Sequence, residues 1–191
     1  MGVSAPAPAP GRLVVVRHAD TDWSASGRHT GRTDIPLNAA GRERAAALGP
    51  RLAAGRYAAV WSSPLSRARE TARLAGFDPV LHDELMEWDY GEYEGLTTAE
   101  IVASRPGWEL FRDGCPGGED AVGVGARVDA LLARLPPAGD VLAFSHGHLL
   151  RVLIARWLTL PPADGRLIAL APGGIGTLGH EHGHHVLTSL G

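Results

Sequence analysis

The sequence predicts a three-layer α/β/α sandwich around a mostly parallel central sheet. Two short apolar runs, at residues 13–16 (LVVV) and 141–144 (VLAF), are typical of strands that a sheet buries on both faces. Longer segments with apolar residues at helical spacing lie between the strand-like runs. Because strands and helices alternate, the fold class is α/β, with helices on both faces of the sheet.

The first half of the chain carries three predicted strands and two predicted helices. The strands are expected at residues 13–16, 58–61 and 80–81, and the helices at 39–54 and 64–75. Asn38 is a good N-cap for the first helix, and Gly49-Pro50 is expected to kink that helix or end it early. Pro64 suits the first turn of the second helix. Residues 24–36 form a long polar loop, of a length that is usually functional.

The second half continues the alternation and ends in a hairpin. Helices are expected at residues 97–104, 120–135 and 149–158, and strands at 141–144, 166–170, 176–180 and 186–190. Pro136-Pro137 breaks the helix before it, and His182-Gly183 is a turn signal between the last two strands. Residues 86–118 have little strand character, so we expect them to form a small lid over the end of the sheet.

Composition limits the class of protein. A chain of 191 residues with 45% apolar and 20% charged residues fits one globular domain, which we place at residues 12–191. Residues 1–11, rich in Ala and Pro, are expected to be a disordered arm. A net charge of -3 argues against a nucleic acid or an anionic membrane as a partner held by bulk charge.

The cysteine count and the N-terminal segment bear on the compartment. A single cysteine, Cys115, excludes an internal disulfide and a cysteine-based zinc cluster, and it suits a reducing compartment. The first residues lack the basic and apolar regions of a secretion signal, and no apolar run is long enough to span a membrane. We therefore expect a cytoplasmic protein.

The first predicted strand ends at Arg17-His18. Ligands bind at the carboxyl ends of strands in open α/β sheets, and a half-buried cation is costly unless something pairs with it. Our hypothesis is that Arg17 holds the oxygens of a phosphoryl group while His18 attacks its phosphorus. The alternative is an Arg that closes a strand beside an unrelated His.

The strand at residues 141–144 also runs into a histidine, His146. In a parallel sheet both strand ends lie at the same edge, so neighbouring strands would bring the imidazoles of His18 and His146 together. A lone His is more often structural, but two at matching strand ends favour a functional site.

Arg67 lies in the first turn of the helix that follows the second strand. Free N–H groups and the helix dipole favour an anion at that end. An Arg there is unfavourable for the helix itself, and a bound phosphate would offset the mismatch. The alternative is a solvated Arg that costs roughly a few tenths of a kcal/mol.

Carboxylates crowd residues 84–95 (ELMEWDYGEYEG). One of them, shielded by Trp88 or Tyr90, could keep a proton and deliver it to a leaving oxygen. The alternative is a solvated acidic loop, and spacing alone does not select which acid would serve.

Four motifs now stand in order: VVVRHADTDW, SSPLSRARETA, EWDYGEYEG and FSHGHLLR. They resemble the signatures of the histidine phosphatase superfamily, in its phosphoglycerate-mutase-like branch, and the resemblance runs from about residue 12 to the C-terminus. It implies chemistry through a phosphohistidine, with a small-molecule phosphate ester as substrate. It also implies no metal, no cofactor and a possible homodimer.

The resemblance assigns roles residue by residue. His18 would be the nucleophile, Glu87 the proton donor, and Arg17, Arg67 and His146 would surround the phosphoryl oxygens. The residues implied near the substrate are Ser24, His29, Tyr90 and Gly147.

Departures from the family pattern favour a phosphatase of the acid phosphatase type. Ala19 stands where the family usually has Gly, which only removes backbone freedom at the turn, whereas Ser24 stands where mutases typically have Asn. The stretch 116–119 (PGGE) resembles the phosphatase members, and fewer cations favour hydrolysis over phosphoryl return. The alternatives are a cofactor-dependent phosphoglycerate mutase, a sugar bisphosphatase of the sedoheptulose-bisphosphatase type, and a non-catalytic domain that binds phospho-ligands.

One further cluster, at residues 180–185, contains four histidines and a glutamate. Such residues could hold a transition metal. Alternate residues of a hairpin point to opposite faces, however, so we expect a polar hairpin rather than a metal site.

Overall fold

The computed structural model describes residues 11–191, so the predicted arm, apart from Gly11, lies outside the described residues. The strands are β1 (Leu13–Arg17), β2 (Tyr57–Ser62), β3 (Val80–Leu81), β4 (Asp140–Ser145), β5 (Ile175–Glu181) and β6 (His184–Leu190). The α-helices are α1 (Asp22–Ala25), α2 (Ala39–Leu52), α3 (Ser66–Leu74), α4 (Thr98–Ser104), α5 (Leu110–Asp113), α6 (Ala121–Leu132) and α7 (Gly147–Trp157). Short 3₁₀ helices occupy Asp83–Leu85, Gly91–Tyr93 and Pro162–Leu167.

Over residues 11–191 the strands form one six-stranded sheet in the order β3-β2-β4-β1-β5-β6. The first four strands in that order are parallel, and β5 and β6 extend the sheet with antiparallel pairing. Arg17 of β1 lies opposite Ser145 of β4. The mostly parallel sheet is therefore confirmed, and the strand ends that precede His18 and His146 are immediate neighbours.

Helices cover both faces of the sheet. Val14 of β1 packs with Leu48 of α2 on one face. Val15, the next residue, belongs to the cluster on the other face with Val128 of α6 and Leu153 of α7. Successive strand residues point to opposite faces, and burying each such side chain contributes about 1.5–3 kcal/mol. The predicted sandwich is confirmed, and no helix within residues 11–191 is long and apolar enough to cross a membrane.

Capping explains where the helices begin. The side chain of Asn38 accepts a hydrogen bond from the backbone N–H of Gly41 at 2.8 Å, as expected of an N-cap. Pro50 lies in the last turn of α2, and the helix ends two residues beyond it. Helix α7 begins at Gly147, two residues before the predicted start, so His146 is its N-cap residue.

The strand predicted at residues 166–170 is wrong. Pro162–Leu167 is a 3₁₀ helix, and the residues after it are not paired in the sheet. Pro161 and Pro162 carry fixed backbone angles that start a tight turn, and a proline has no N–H to donate to a strand ladder. The apolar residues instead place Leu170 against the core, where it is 5% exposed, while Leu167 faces solvent. The loop predicted at residues 24–36 also begins inside α1.

Candidate active site

A cavity of about 490 Å³ lies where β1 ends. The predicted site residues on its wall are Arg17, His18, Ser24, His29, Glu87, Tyr90 and Gly147. The segment predicted as a lid, residues 86–118, contains no strand and contributes Glu87, Tyr90 and Thr98 to this wall.

His18 has a defined tautomer. Its Nδ1 lies 2.7 Å from the carbonyl oxygen of Ala19. A carbonyl only accepts, so Nδ1 carries the proton and Nε2 keeps a lone pair. Burial, followed by the charges of Arg67 and Arg17, lowers the pKa of His18 to about 3. The ring is therefore neutral near pH 7, and its basic nitrogen is Nε2.

Ala19, which replaces the glycine usual in the family, needs no strained backbone. It is fully buried, and its φ is not among the positive values of the described residues. Its N–H donates to the hydroxyl of Thr71 at 3.2 Å. A methyl group is therefore accommodated directly after His18.

Arg17 has an unsatisfied donor near the cavity. Its Nη1 donates to the carbonyl of Leu170 at 2.6 Å, but its buried Nε has no partner among residues 11–191. A Cβ on Gly147 would lie 3.1 Å from Cζ of Arg17, so the glycine lets the guanidinium approach the start of α7. A buried cationic N–H without an acceptor is suited to an anionic oxygen.

Arg67 is fully buried and does not line the cavity. Its Nε donates to Nδ1 of His146 at 3.2 Å. Its Nη atoms donate to the carbonyl oxygens of Thr30, Gly31 and Thr33, at 3.0, 2.8 and 2.9 Å. Arg67 therefore lies behind the cavity and fastens the loop at residues 30–33.

His146 also lies behind His18, with 5.1 Å between the ring centroids. Because its Nδ1 accepts from Arg67, its proton is on Nε2, which lies 2.8 Å from Oγ of Ser63. Burial lowers the pKa of His146 well below its usual value. The two imidazoles meet as the sequence predicted, but both nitrogens of His146 are already bonded within the protein.

Glu87 occupies the N-terminus of α7. Its Oε1 accepts from the N–H groups of Trp88 and Leu149 at 2.9 and 2.8 Å, and its Oε2 accepts from the N–H of His148 at 3.1 Å. Free N–H groups and the helix dipole make that position favourable for a carboxylate. The acid is thus held firmly at the cavity wall.

The remaining predicted residues have partners of their own. Oγ of Ser24 completes the capping box of α1 with Thr21. The ring of His29 lies 4.7 Å from that of Tyr90, and its Nε2 is 3.3 Å from Oγ1 of Thr98. Burial lowers the pKa of His29, so this side chain is a neutral part of the wall.

Sequence reasoning missed three ionisable residues of the cavity wall: Arg28, His148 and Arg151. His148 and Arg151 are three residues apart on α7, which places them on one helix face, and both belong to the motif FSHGHLLR. That spacing was the available signal. The guanidinium of Arg151 also lies 4.6 Å over the ring of Phe111.

The histidine cluster at residues 180–185 lies away from the cavity. His185 stacks on Trp157, with 4.4 Å between the ring centroids, and donates from Nδ1 to the carbonyl of Trp157. Nowhere in residues 11–191 do three or more His, Cys, Asp or Glu side chains form a group that could hold a metal ion.

Comparison with known proteins gives independent evidence on the family of this chain. The family model "Histidine phosphatase superfamily (branch 1)" matches residues 13–191. The chain is 42% identical to an acid phosphatase of Mycobacterium tuberculosis, over 94% of this chain and 92% of that protein. It is 34% identical to sedoheptulose 1,7-bisphosphatase of Saccharomyces cerevisiae, over 78% and 68% of the two chains. A solved structure of an open reading frame product from Mycobacterium tuberculosis superposes with a TM-score of 0.90 at 41% identity, covering 95% of this chain and 97% of that one.

Proposed function

The chain belongs to branch 1 of the histidine phosphatase superfamily, and from this premise we propose that it hydrolyses small phosphate monoesters through a phosphohistidine at His18. The observation that carries the proposal is the neutral, buried His18 on the cavity wall, whose Nδ1 is bonded to the carbonyl of Ala19 and whose Nε2 keeps its lone pair, with Arg17 on the same wall.

The proposed reaction has two steps. Nε2 of His18 attacks phosphorus while the bond to the leaving oxygen breaks, and Glu87, carrying a proton, gives it to that oxygen. Water then attacks the phosphohistidine, Glu87 takes a proton from that water, and phosphate leaves a neutral His18. Phosphoryl transfer depends mainly on positioning and charge, which the guanidinium groups at the site supply.

Replacing the nucleophile tests the proposal. We expect His18→Ala to lower kcat/KM by about a thousandfold or more, because alanine cannot form the phosphohistidine. The matched control is His82→Asn, because His82 is a buried histidine that packs against the ring of Trp61 and does not line the cavity. Wild-type protein that is mixed with substrate and denatured at alkaline pH, where the P–N bond survives, should carry phosphate on His18 by mass spectrometry. Wild-type turnover by His18→Ala would refute the proposal.

A sugar bisphosphate is a second candidate substrate. Two further guanidinium groups, those of Arg28 and Arg151, line the same cavity and suit a second anionic group. Rates of phosphate release from matched sugar monophosphates and bisphosphates would separate the two. Supplying 3-phosphoglycerate and looking for 2-phosphoglycerate rather than free phosphate tests the mutase alternative.

We also propose a cytoplasmic location and a homodimer, and no nucleic-acid or membrane partner. The single cysteine and the net charge of -3 support the first and last of these, and the family resemblance supports the dimer. Cell fractionation and light scattering of the purified chain test them.

A further inference from the structure

Glu87 lies in the middle of residues 84–89, a segment that we call the Glu87 strap. After the 3₁₀ turn that ends at Leu85, the strap has no regular secondary structure. A loop position is less precise than a helix or strand for a group that must move a proton. Something outside the strap must therefore hold its backbone.

Arg127, in the middle of α6, holds the backbone of the strap. Its Nη1 donates to the carbonyl oxygens of Glu84 and Met86 at 2.8 and 2.7 Å. Its Nη2 reaches the carbonyl oxygen of Glu87 itself at 3.4 Å. One guanidinium, 16% exposed, thus contacts three carbonyls within four residues.

Glu119 binds both Arg127 and the other end of the strap. Its carboxylate binds Arg127 in a bidentate pair, with N–O distances of 3.0 and 2.9 Å. The same carboxylate accepts from the N–H of Asp89 at 2.8 Å, and its backbone carbonyl accepts from Nε1 of Trp88 at 2.9 Å. The Arg127–Glu119 pair therefore fixes the backbone on both sides of Glu87.

We propose that Arg127 is a positioning residue that holds Glu87 in place for proton transfer; this rests on the proposed function of Glu87. The planar fork of an arginine presents its donors in a fixed geometry that reaches Glu119 and the strap carbonyls together, which the compact ammonium of a lysine does not reproduce. A small displacement of a catalytic group is expected to slow the step that it serves, while other steps proceed.

The dependence of kcat/KM on the leaving group is a readout that a purely structural role of Arg127 would not change. A nitrophenolate leaves without a proton, whereas an alkoxide needs one from Glu87. We expect Arg127→Met to lower kcat/KM about tenfold or more for glycerol 2-phosphate and about threefold or less for p-nitrophenyl phosphate. Glu87→Gln should show the same selective loss, and adding Arg127→Met to it should not increase the ratio further.

The matched control is Arg134→Met. Arg134 also binds the strap, but through an exposed ion pair with the carboxylate of Glu84 at 2.6 Å. We expect the ratio of its kcat/KM values for glycerol 2-phosphate and p-nitrophenyl phosphate to equal that of the wild type. Arg127→Lys keeps the charge and carries the test if Arg127→Met does not fold, as judged by thermal unfolding.

Equal losses on both substrates, or losses that multiply with those of Glu87→Gln, would overturn the assignment of Arg127. If Glu87→Gln itself leaves the substrate ratio unchanged, the proposed role of Glu87 fails and the role of Arg127 fails with it. If Glu87→Gln shifts the ratio and neither Arg127 variant does, only the Arg127 assignment fails.

Discussion

The phenol oxygen of Tyr90 lies 2.5 Å from Nδ1 of His148. Burial raises the pKa of Tyr90 well above its usual value and lowers the pKa of His148 well below its own. The phenol therefore keeps its proton and donates it to Nδ1, and the neutral ring carries its own proton on Nε2. His148 is thus set to offer an N–H donor at the cavity wall.

Tyr90→Phe should remove the hydrogen bond that fixes the tautomer of His148. Removing one hydrogen bond of about 1 kcal/mol allows both tautomers of His148 to be populated. We expect kcat/KM for a sugar phosphate to fall by about fivefold to tenfold. The ¹⁵N chemical shifts of His148 in labelled protein report the tautomer directly, and identical shifts in the wild type and the variant would contradict this assignment.

The acid side of the pH–rate profile should extend well below the usual range for histidine. Attack requires a neutral His18, and its pKa of about 3 means that lowering the pH from 7 to 5 does not protonate it. We therefore expect no loss of kcat/KM from protonation of His18 over that interval. An acid limb with its midpoint near pH 6.5 would show that His18 titrates normally.

Folding stability should fall as the pH falls below 6.5. The folded-state pKa of His18 is depressed to about 3, so between that pH and 6.5 the unfolded chain binds the extra proton. The stabilisation is therefore present above pH 6.5 and is lost on acidification. His18 alone should account for about 2–3 kcal/mol between pH 7.5 and 4.5, measured by urea unfolding. His18→Gln should have a shallower pH slope, and a parallel slope would exclude His18 as the cause.

Ser63→Ala should destabilise the protein by about 1–3 kcal/mol. The hydroxyl of Ser63 is the acceptor for Nε2–H of the fully buried His146, and alanine leaves that proton without a partner. Thermal unfolding measures the change. Ser26→Ala, at an exposed position in the turn after α1, is the control, and equal effects of the two changes would argue against this hydrogen bond.

Chelators should leave the phosphatase activity unchanged. In the proposed reaction guanidinium groups supply the positive charge that stabilises the phosphoryl oxygens. No divalent cation is therefore needed. The assay compares rates before and after dialysis against EDTA. A loss that a divalent metal restores would disprove metal independence.

Strand ends were the most predictable part of the site. Two apolar runs in a parallel sheet place the residues that follow them at one edge, and His18 and His146 are indeed neighbours. The placements of His18 and His146 follow from local pattern and sheet geometry. Glu87 was assigned by the family resemblance, because spacing alone did not select an acid, and the structure places its carboxylate at the N-terminus of the helix that follows His146.

Contacts between distant loops were not predictable. The carbonyl partners of Arg67 and the tyrosine that binds His148 lie far away in sequence, and no local pattern connects them. The apolar residues at 166–170 are typical of a strand, but the prolines that precede them start a 3₁₀ helix instead. Helix α7 begins at Gly147, earlier than predicted, and the free N–H groups of its first turn donate to the carboxylate of Glu87, which is distant in sequence.

Arg67 donates hydrogen bonds to the main chain of the loop that follows His29, and also to His146. Removing this side chain therefore does two things at once: it withdraws a positive charge from behind His18 and unfastens the loop beside the substrate. Arg67→Ala should accordingly weaken both catalysis and substrate selection. Arg67→Lys, which keeps the charge and loses the fork, should separate the two effects by restoring the first more than the second.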